Sequence, residues 1–105
     1  MTVREFIKEA KGYYTFSKIE VYRFRGEMRI FHTDFIENID EYYNKNSYMD
    51  CEVESYQLMD EEDYNNSILA NACFSEEFEE NEKRLIICIS WRYRYDDTKK
   101  RFIFE

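Results

Sequence analysis

Proline is absent from this chain of 105 residues, and glycine occurs only at Gly12 and Gly26. Two isolated glycines exclude the glycine-rich loops that bind nucleotide phosphates, because such loops need several glycines at fixed spacing. The length leaves room for a single domain, which we assign to residues 1–105. No internal repeat and no linker divides this domain.

Histidine and cysteine are also scarce. The chain has one histidine, His32, and three widely separated cysteines without a CxxC motif, namely Cys51, Cys73 and Cys88. An odd number of scattered thiols predicts neither a disulfide framework nor a zinc site. One histidine does not by its spacing define a triad or a metal centre. We therefore expect buried reduced thiols, no cofactor, no bound metal and no catalytic activity.

Long apolar runs are missing as well. No segment approaches the roughly 18 consecutive apolar residues of a membrane-spanning helix. The first segment, MTVREFIKEAKG, mixes acidic with apolar residues and lacks the apolar core of a signal peptide. Together with thiols that are expected to stay reduced, these absences predict a cytoplasmic protein that does not bind a membrane.

Aromatic residues, by contrast, are abundant at 19% of the chain, with ten Tyr and nine Phe. A small core needs only some of these large side chains, so we expect others at the surface, where tyrosine suits protein recognition. Strands also favour aromatic residues. Both explanations stay open.

The charges are divided unevenly along the sequence. Residues 1–33 carry a net charge of +3, residues 34–82 carry −15, and residues 83–105 carry +4, within a total of −8. The acidic residues of the central block are densest at residues 60–63 and 76–82. This block argues against binding to nucleic acid, because phosphate binding needs clustered Lys and Arg.

The acidic runs instead predict a protein partner with a basic surface, such as an enzyme that normally binds nucleic acid. A solvated loop that keeps the protein soluble is the alternative explanation. The run at residues 60–63 lacks the spacing and the glycine of a calcium loop. We expect help from Tyr56 and Phe78, and the candidate partner-binding residues are Asp60, Glu61, Glu62, Asp63, Tyr64, Glu76, Glu77, Glu79, Glu80 and Glu82.

The first third of the sequence predicts a helix followed by a β-hairpin. Thr2 and Glu5 form a capping box before an apolar stripe at helical spacing, which predicts a helix over residues 3–11 that ends at Gly12 as a left-handed cap. Alternating β-formers predict strands over residues 18–24 and 28–33, with a tight turn at residues 25–27.

The acidic middle is harder to assign. Asp34 and Glu37 resemble a second capping box, so we expect a helix over residues 35–44, followed by a third strand over residues 51–56. The apolar positions Tyr64, Ile68, Leu69, Ala72 and Cys73 fit a helical stripe, whereas residues 67–70 also fit a short strand. Residues 76–82 are expected to form a loop or the start of the next element.

The end of the chain predicts two more strands, a long one over residues 84–95 and a terminal one over residues 101–104, joined by a turn at residues 96–98. The predicted order is α-β-β-α-β-α-β-β. It indicates an α+β fold with an antiparallel sheet of about five strands and two or three short helices.

The chain resembles the small acidic proteins of phages and mobile elements, especially the anti-CRISPR inhibitors of Cas effector nucleases. The similarity covers the length, the capped first helix, the sheet rich in Tyr and Phe, and the acidic runs at residues 60–63 and 76–82. It implies a DNA mimic in a bacterial host cell that occupies the nucleic-acid site of a CRISPR effector nuclease. The basic ends of the chain depart from a uniformly acidic mimic, and they leave a self-assembling or adaptor protein as the alternative.

Overall fold

The computed structural model describes residues 1–24, 28–35, 47–71, 77–96, 98–99 and 101–104. Within these ranges two α-helices, two short 3-10 helices and six strands follow one another. Their bounds are α1 (Val3–Tyr13), β1 (Lys18–Phe24), β2 (Met28–Phe35), a 3-10 helix (Ser47–Asp50), β3 (Val53–Met59), α2 (Glu61–Asn65), a 3-10 helix (Ile68–Asn71), β4 (Arg84–Ile89), β5 (Tyr93–Asp96) and β6 (Arg101–Phe104).

Four of the strands form one mixed sheet in the order β2-β1-β4-β3, and β5 pairs with β6 in a separate antiparallel hairpin. Strand β1 is antiparallel to β2 but parallel to β4, while β3 is antiparallel to β4. The α+β class is confirmed. The prediction of a five-stranded antiparallel sheet with the order α-β-β-α-β-α-β-β is wrong, because strand patterns in a sequence do not reveal that β4 pairs parallel with β1.

Helix α1 begins at the predicted capping box. The Thr2 hydroxyl accepts a hydrogen bond from the Glu5 backbone at 3.3 Å, and the Glu5 carboxylate accepts one from the Thr2 backbone at 3.3 Å. Val3, Ile7 and Ala10 form its buried side. The prediction that Gly12 ends the helix as a left-handed cap is wrong, because the helix continues to Tyr13 and is capped by an extended residue.

Two predicted elements have other bounds or assignments in the structure. Asp34 and Phe35 lie in β2, and the rest of the predicted helix over residues 35–44 lies outside the described residues. The third strand begins at Val53 and continues to Met59. The turn at residues 25–27 lies outside the described residues, although the strands on either side of it do pair.

The long strand predicted over residues 84–95 is two strands. The chain turns after β4 because the backbone of Tyr93 donates to the Ser90 carbonyl at 3.1 Å and that of Arg92 donates to the Ser90 hydroxyl at 3.2 Å. A serine side chain that bonds its own local backbone competes with the sheet in this way.

The helical stripe predicted from Tyr64 onward is also interrupted. Helix α2 has five residues and ends at Asn65, with Asn66 as its cap, and the Ser67 hydroxyl donates to the Tyr64 carbonyl at 2.7 Å and accepts from the Leu69 backbone at 3.2 Å. A 3-10 helix follows, so the alternative of a strand over residues 67–70 is wrong. Ala72 and Cys73 lie outside the described residues.

The sheet has two covered faces. On the first face, alternate residues of β1 and β4 pack with α1 and the 3-10 helix Ser47–Asp50, and Tyr93 and Phe102 bring the β5–β6 hairpin against the same core. On the second face, Met59 and Ile86 pack with Tyr64 and Leu69, and Tyr22 and Phe78 lie against them. No helix among the described residues is long and apolar enough to cross a membrane.

Replacing Gly12 by Ala tests the course of α1. No atom lies within 4 Å of the position that a Cβ would occupy, and Ala has the higher helix propensity. We expect the Gly12→Ala variant to raise the free energy of unfolding by about 0.5–1 kcal/mol, measured by urea denaturation. A left-handed conformation at this position would instead make the alanine variant less stable than the wild type.

Candidate functional site

Two acidic segments that are separate in the sequence lie side by side in the structure. Tyr64, which follows the run at residues 60–63, contacts Phe78, which lies inside the second run, with 5.0 Å between ring centroids and an interplanar angle of 61°. The guanidinium carbon of Arg84 lies 5.0 Å from the Tyr64 centroid and 4.0 Å from that of Phe78. A buried cation in contact with both rings therefore ties the two acidic segments together.

Arg84 belongs to a set of buried polar side chains on the second face, which we name the buried charge network: Lys18, Glu20, Tyr64, Glu82 and Arg84. Arg84 Nη1 lies 3.1 Å from Glu20 Oε2, and Arg84 Nη2 lies 2.7 Å from Glu82 Oε2. Lys18 Nζ lies 3.6 Å from Glu82 Oε1. Two carboxylates thus face two cations, and this balance offsets the cost of removing four charges from water.

The Tyr64 hydroxyl completes this network by donating to the two carboxylate oxygens of Glu20 at 2.8 and 2.9 Å. This pair joins α2 to β1. Buried carboxylates need such donors, because an unsatisfied charged oxygen away from water is costly. The hydroxyl therefore fixes the position of the helix that carries the first acidic run.

The parallel pairing of β1 and β4 determines where the charged side chains of the buried charge network lie. Its register sets Lys18 beside Arg84 and Glu20 beside Ile86. Because side chains alternate along a strand, Lys18, Glu20 and Arg84 all point to the second face. These three residues were not among the predicted site residues. The signal for Lys18 and Glu20 in the sequence is a pair of opposite charges two positions apart in a strand with apolar residues between and after them.

A tight turn holds the second acidic segment. The Glu82 backbone donates to the Glu79 carbonyl at 3.1 Å, and the Glu82 carboxylate accepts from the Glu79 backbone at 3.3 Å. Asn81 has a φ of 60°, in the left-handed region that asparagine tolerates better than most residues. Glu82 thus links this turn to Arg84 beneath it.

The structure divides the predicted partner-binding residues into two groups. Tyr64 and Glu82 are 2% and 6% exposed and belong to the buried charge network, so their side chains do not lie at the exposed surface. Glu76 lies outside the described residues. The remaining predicted acids are exposed, and we name them the acidic surface: Asp60, Glu61, Glu62, Asp63, Glu77, Glu79 and Glu80.

The two aromatic residues expected to assist lie in different places. Phe78 is half-buried beneath the acidic surface. Tyr56 lies on β3, where its ring centroid is 4.6 Å from that of Phe6 and its hydroxyl is 3.3 Å from that of Tyr14. Tyr56 therefore contacts α1 and its C-terminal cap.

Among the described residues, no ion pair joins a carboxylate of the acidic surface to a cation. The ion pairs that the structure describes join Met1 with Glu52, Arg4 with Asp50, and members of the buried charge network with one another. Asp60 accepts a hydrogen bond from the Asp63 backbone at 2.8 Å as the cap of α2. Seven exposed carboxylates on two adjacent segments create a negative potential that attracts cationic groups.

The two described cysteines lack the lowered pKa of an activated thiol. Burial raises the pKa of Cys51 to about 12, and burial also raises the pKa of Cys88. A thiol needs a lowered pKa to act as a nucleophile. The cavity between Tyr22, Gln57 and Cys88 has a volume of about 160 Å³, below the roughly 300 Å³ of small ligand pockets. Across these ranges no three His, Cys, Asp or Glu side chains meet as metal ligands.

Comparison with known proteins gives no family for this chain. It matches no protein-family model, no curated protein and no solved structure. The function has to be inferred from the chain's own side chains and from their arrangement.

Replacing Arg84 by Met tests the buried charge network. The variant leaves Glu20 and Glu82 buried without their strongest counter-charge, so we expect the free energy of unfolding to fall by about 3–5 kcal/mol. Urea denaturation followed by circular dichroism measures this loss. Lys83→Met, at the exposed neighbouring position, is the control and should change stability by less than about 0.5 kcal/mol. A loss for Arg84→Met as small as that of the control would contradict the network.

Alkylation of Cys51 tests its protonation state. A thiol with a pKa of about 12 has little thiolate at pH 9, whereas the unfolded chain regains an ordinary thiol pKa near 8.5. We expect iodoacetamide to modify Cys51 about 800-fold more slowly in the native protein than in concentrated urea at this pH, in proportion to the thiolate fraction. Peptide mass mapping identifies the labelled cysteine. Equal rates in the two states would show that the thiol is neither buried nor protonated.

Proposed function

We propose that this protein is a non-catalytic inhibitor whose acidic surface occupies the nucleic-acid-binding site of a bacterial nuclease effector, as a DNA mimic of the anti-CRISPR type. One observation carries the proposal. The contact of Tyr64 and Phe78 with the buried Arg84 guanidinium brings two acidic runs together as one surface of seven exposed carboxylates.

The chemistry of nucleic-acid sites supports this function. Double-stranded DNA carries about one negative charge per 1.7 Å of its axis, and proteins neutralise it with clustered Lys and Arg. A folded surface of carboxylates offers the same Arg and Lys side chains charge-assisted hydrogen bonds. Its negative potential also accelerates the encounter with a basic groove.

The rigidity of the acidic surface also supports the proposed function. Several carboxylates of the acidic surface lie on α2 and on the turn before β4, and both segments are anchored to the sheet through Tyr64 or Glu82. An acidic loop without such anchors would lose conformational entropy when it binds. Preorganised carboxylates lose less, and this favours a surface used for recognition over one used only for solubility.

Neutralising the acidic surface tests the proposal. The probes are purified, guide-loaded CRISPR effector nucleases and a fluorescent target duplex, with inhibition of duplex binding as the readout. We expect the wild-type protein to inhibit an effector. The variant Glu61→Gln, Glu62→Gln, Glu79→Gln and Glu80→Gln should do so at least about tenfold more weakly, or about 1.4 kcal/mol. Added salt should weaken wild-type inhibition, because the contact is largely electrostatic.

A matched control distinguishes the effect of where the charge is changed from the effect of the total net charge on inhibition. Glu9→Lys changes the net charge as much as Glu61→Gln with Glu62→Gln does, but it lies on α1 at the first face. It should leave inhibition unchanged, while the double variant weakens it. Equal inhibition by wild type and the acidic-surface variants would contradict the role of these carboxylates. In parallel, competition by duplex DNA for proteins captured from a bacterial lysate extends the search beyond the purified effectors.

A further inference from the structure

An exposed aliphatic residue follows the first acidic run. Ile68 begins the 3-10 helix after α2 and is 57% exposed. The next residue, Leu69, is 2% exposed and packs with Tyr64 in the core of the second face. Ile68 was predicted to share one helical stripe with these two residues, and the structure instead leaves it in contact with water.

The local backbone fixes the direction of the Ile68 side chain. The Ser67 backbone donates to the Tyr64 carbonyl at 3.0 Å, and the Ser67 hydroxyl bonds both that carbonyl and the Leu69 backbone. A 3-10 helix has three residues per turn, so neighbouring side chains diverge by about 120°. Because Leu69 is held in the core, Ile68 is directed outward. A side chain fixed in this way loses little further freedom when a partner covers it.

The polar residues that precede Ile68 suit one kind of partner. Four exposed residues of α2 and its cap line an open depression: Glu61, Glu62, Asn65 and Asn66. Carboxylates and amide carbonyls both accept hydrogen bonds from Lys and Arg. The sequence has no Lys or Arg between Lys45 and Lys83. A partner of complementary charge is therefore basic, and it needs an apolar side chain to cover Ile68.

We propose that Ile68 is the apolar anchor of the acidic surface. Its partner is a basic protein segment that places an apolar side chain against Ile68 while its Lys and Arg side chains meet the carboxylates. This inference rests on the proposed function, because it assigns a partner chemistry to the same surface. Salt screens the attraction between charges but not the burial of apolar area. The anchor thus distinguishes a protein partner from other cations.

Two arginine-rich peptides of equal charge test this anchor without any effector. They differ at one central position, which is leucine in the apolar peptide and serine in the polar peptide. Fluorescence anisotropy of the labelled peptides gives their dissociation constants for the wild-type protein and for Ile68→Ser, at a salt concentration of about 0.15 M. The four constants form a double-mutant cycle, which isolates the interaction between Ile68 and the leucine.

We expect the wild-type protein to bind the apolar peptide about tenfold more tightly than the polar peptide. Ile68→Ser should bind the two peptides equally and should keep the wild-type affinity for the polar one. Tyr13→Ser is the control, because it removes an aromatic residue that is 82% exposed at the end of α1. This control should keep the tenfold preference. Glu61→Gln with Glu62→Gln should weaken the binding of both peptides alike.

Three results would overturn the inference: a wild-type protein that binds neither peptide, one that binds both equally, or an Ile68→Ser variant that retains the preference. Circular dichroism and thermal unfolding check that Ile68→Ser folds, and Ile68→Thr, which keeps the branch at Cβ, replaces it if it does not. The peptide preference and the inhibition of an effector are measured separately. A wild-type protein that inhibits no effector but prefers the apolar peptide through Ile68 would contradict the proposed function and support the anchor.

Discussion

The rest of the structure depends on the interactions of the Arg84 guanidinium. It contacts Glu20 on β1, Glu82 at the end of the acidic turn, and the rings of Tyr64 and Phe78. Three segments, namely β1, α2 and the turn before β4, therefore meet at one side chain that is fully buried. Replacing a whole buried ion pair by apolar residues of similar size often stabilises a protein, whereas removing one partner leaves a buried charge without compensation. An apolar residue at position 84 alone would not offset the charge of the two carboxylates, nor would it attract the two acidic segments.

This arrangement separates the two roles of the acidic residues. Glu20 and Glu82 are neutralised inside the protein and hold the second face together. The carboxylates of the acidic surface stay in water, where their mutual repulsion is screened and where a cationic partner can reach them. A chain with a net charge of −8 thereby uses buried cations for its architecture while it leaves its surface charge available for recognition.

Local features of the fold were predictable from the sequence, and long-range ones were not. The capping box of Thr2 and Glu5, the strand Lys18–Phe24 and the strand Arg101–Phe104 follow from local periodicity and turn chemistry. The prediction of a left-handed cap at Gly12 was wrong because a glycine near a helix end often, but not always, has this conformation. Periodicity alone extends the strand past Ser90, whereas the hydrogen bonds of Ser90 with the local backbone separate β4 from β5. The parallel register of β1 with β4 has no local signal, so the burial of Tyr64 and Glu82 was missed, although the position of the acidic runs was visible.

The spacing of Glu20 and Arg84 along the chain has a consequence for folding. The two residues are 64 positions apart in the sequence, so their contact is strongly non-local, and the entropy of closing a long loop opposes its formation. During synthesis the first acidic run leaves the ribosome before Arg84 does. Until β4 is made, α2 and the acidic turn lack the cation that draws them together. An incomplete chain that ends before β4 therefore carries both acidic runs without the cation that joins them.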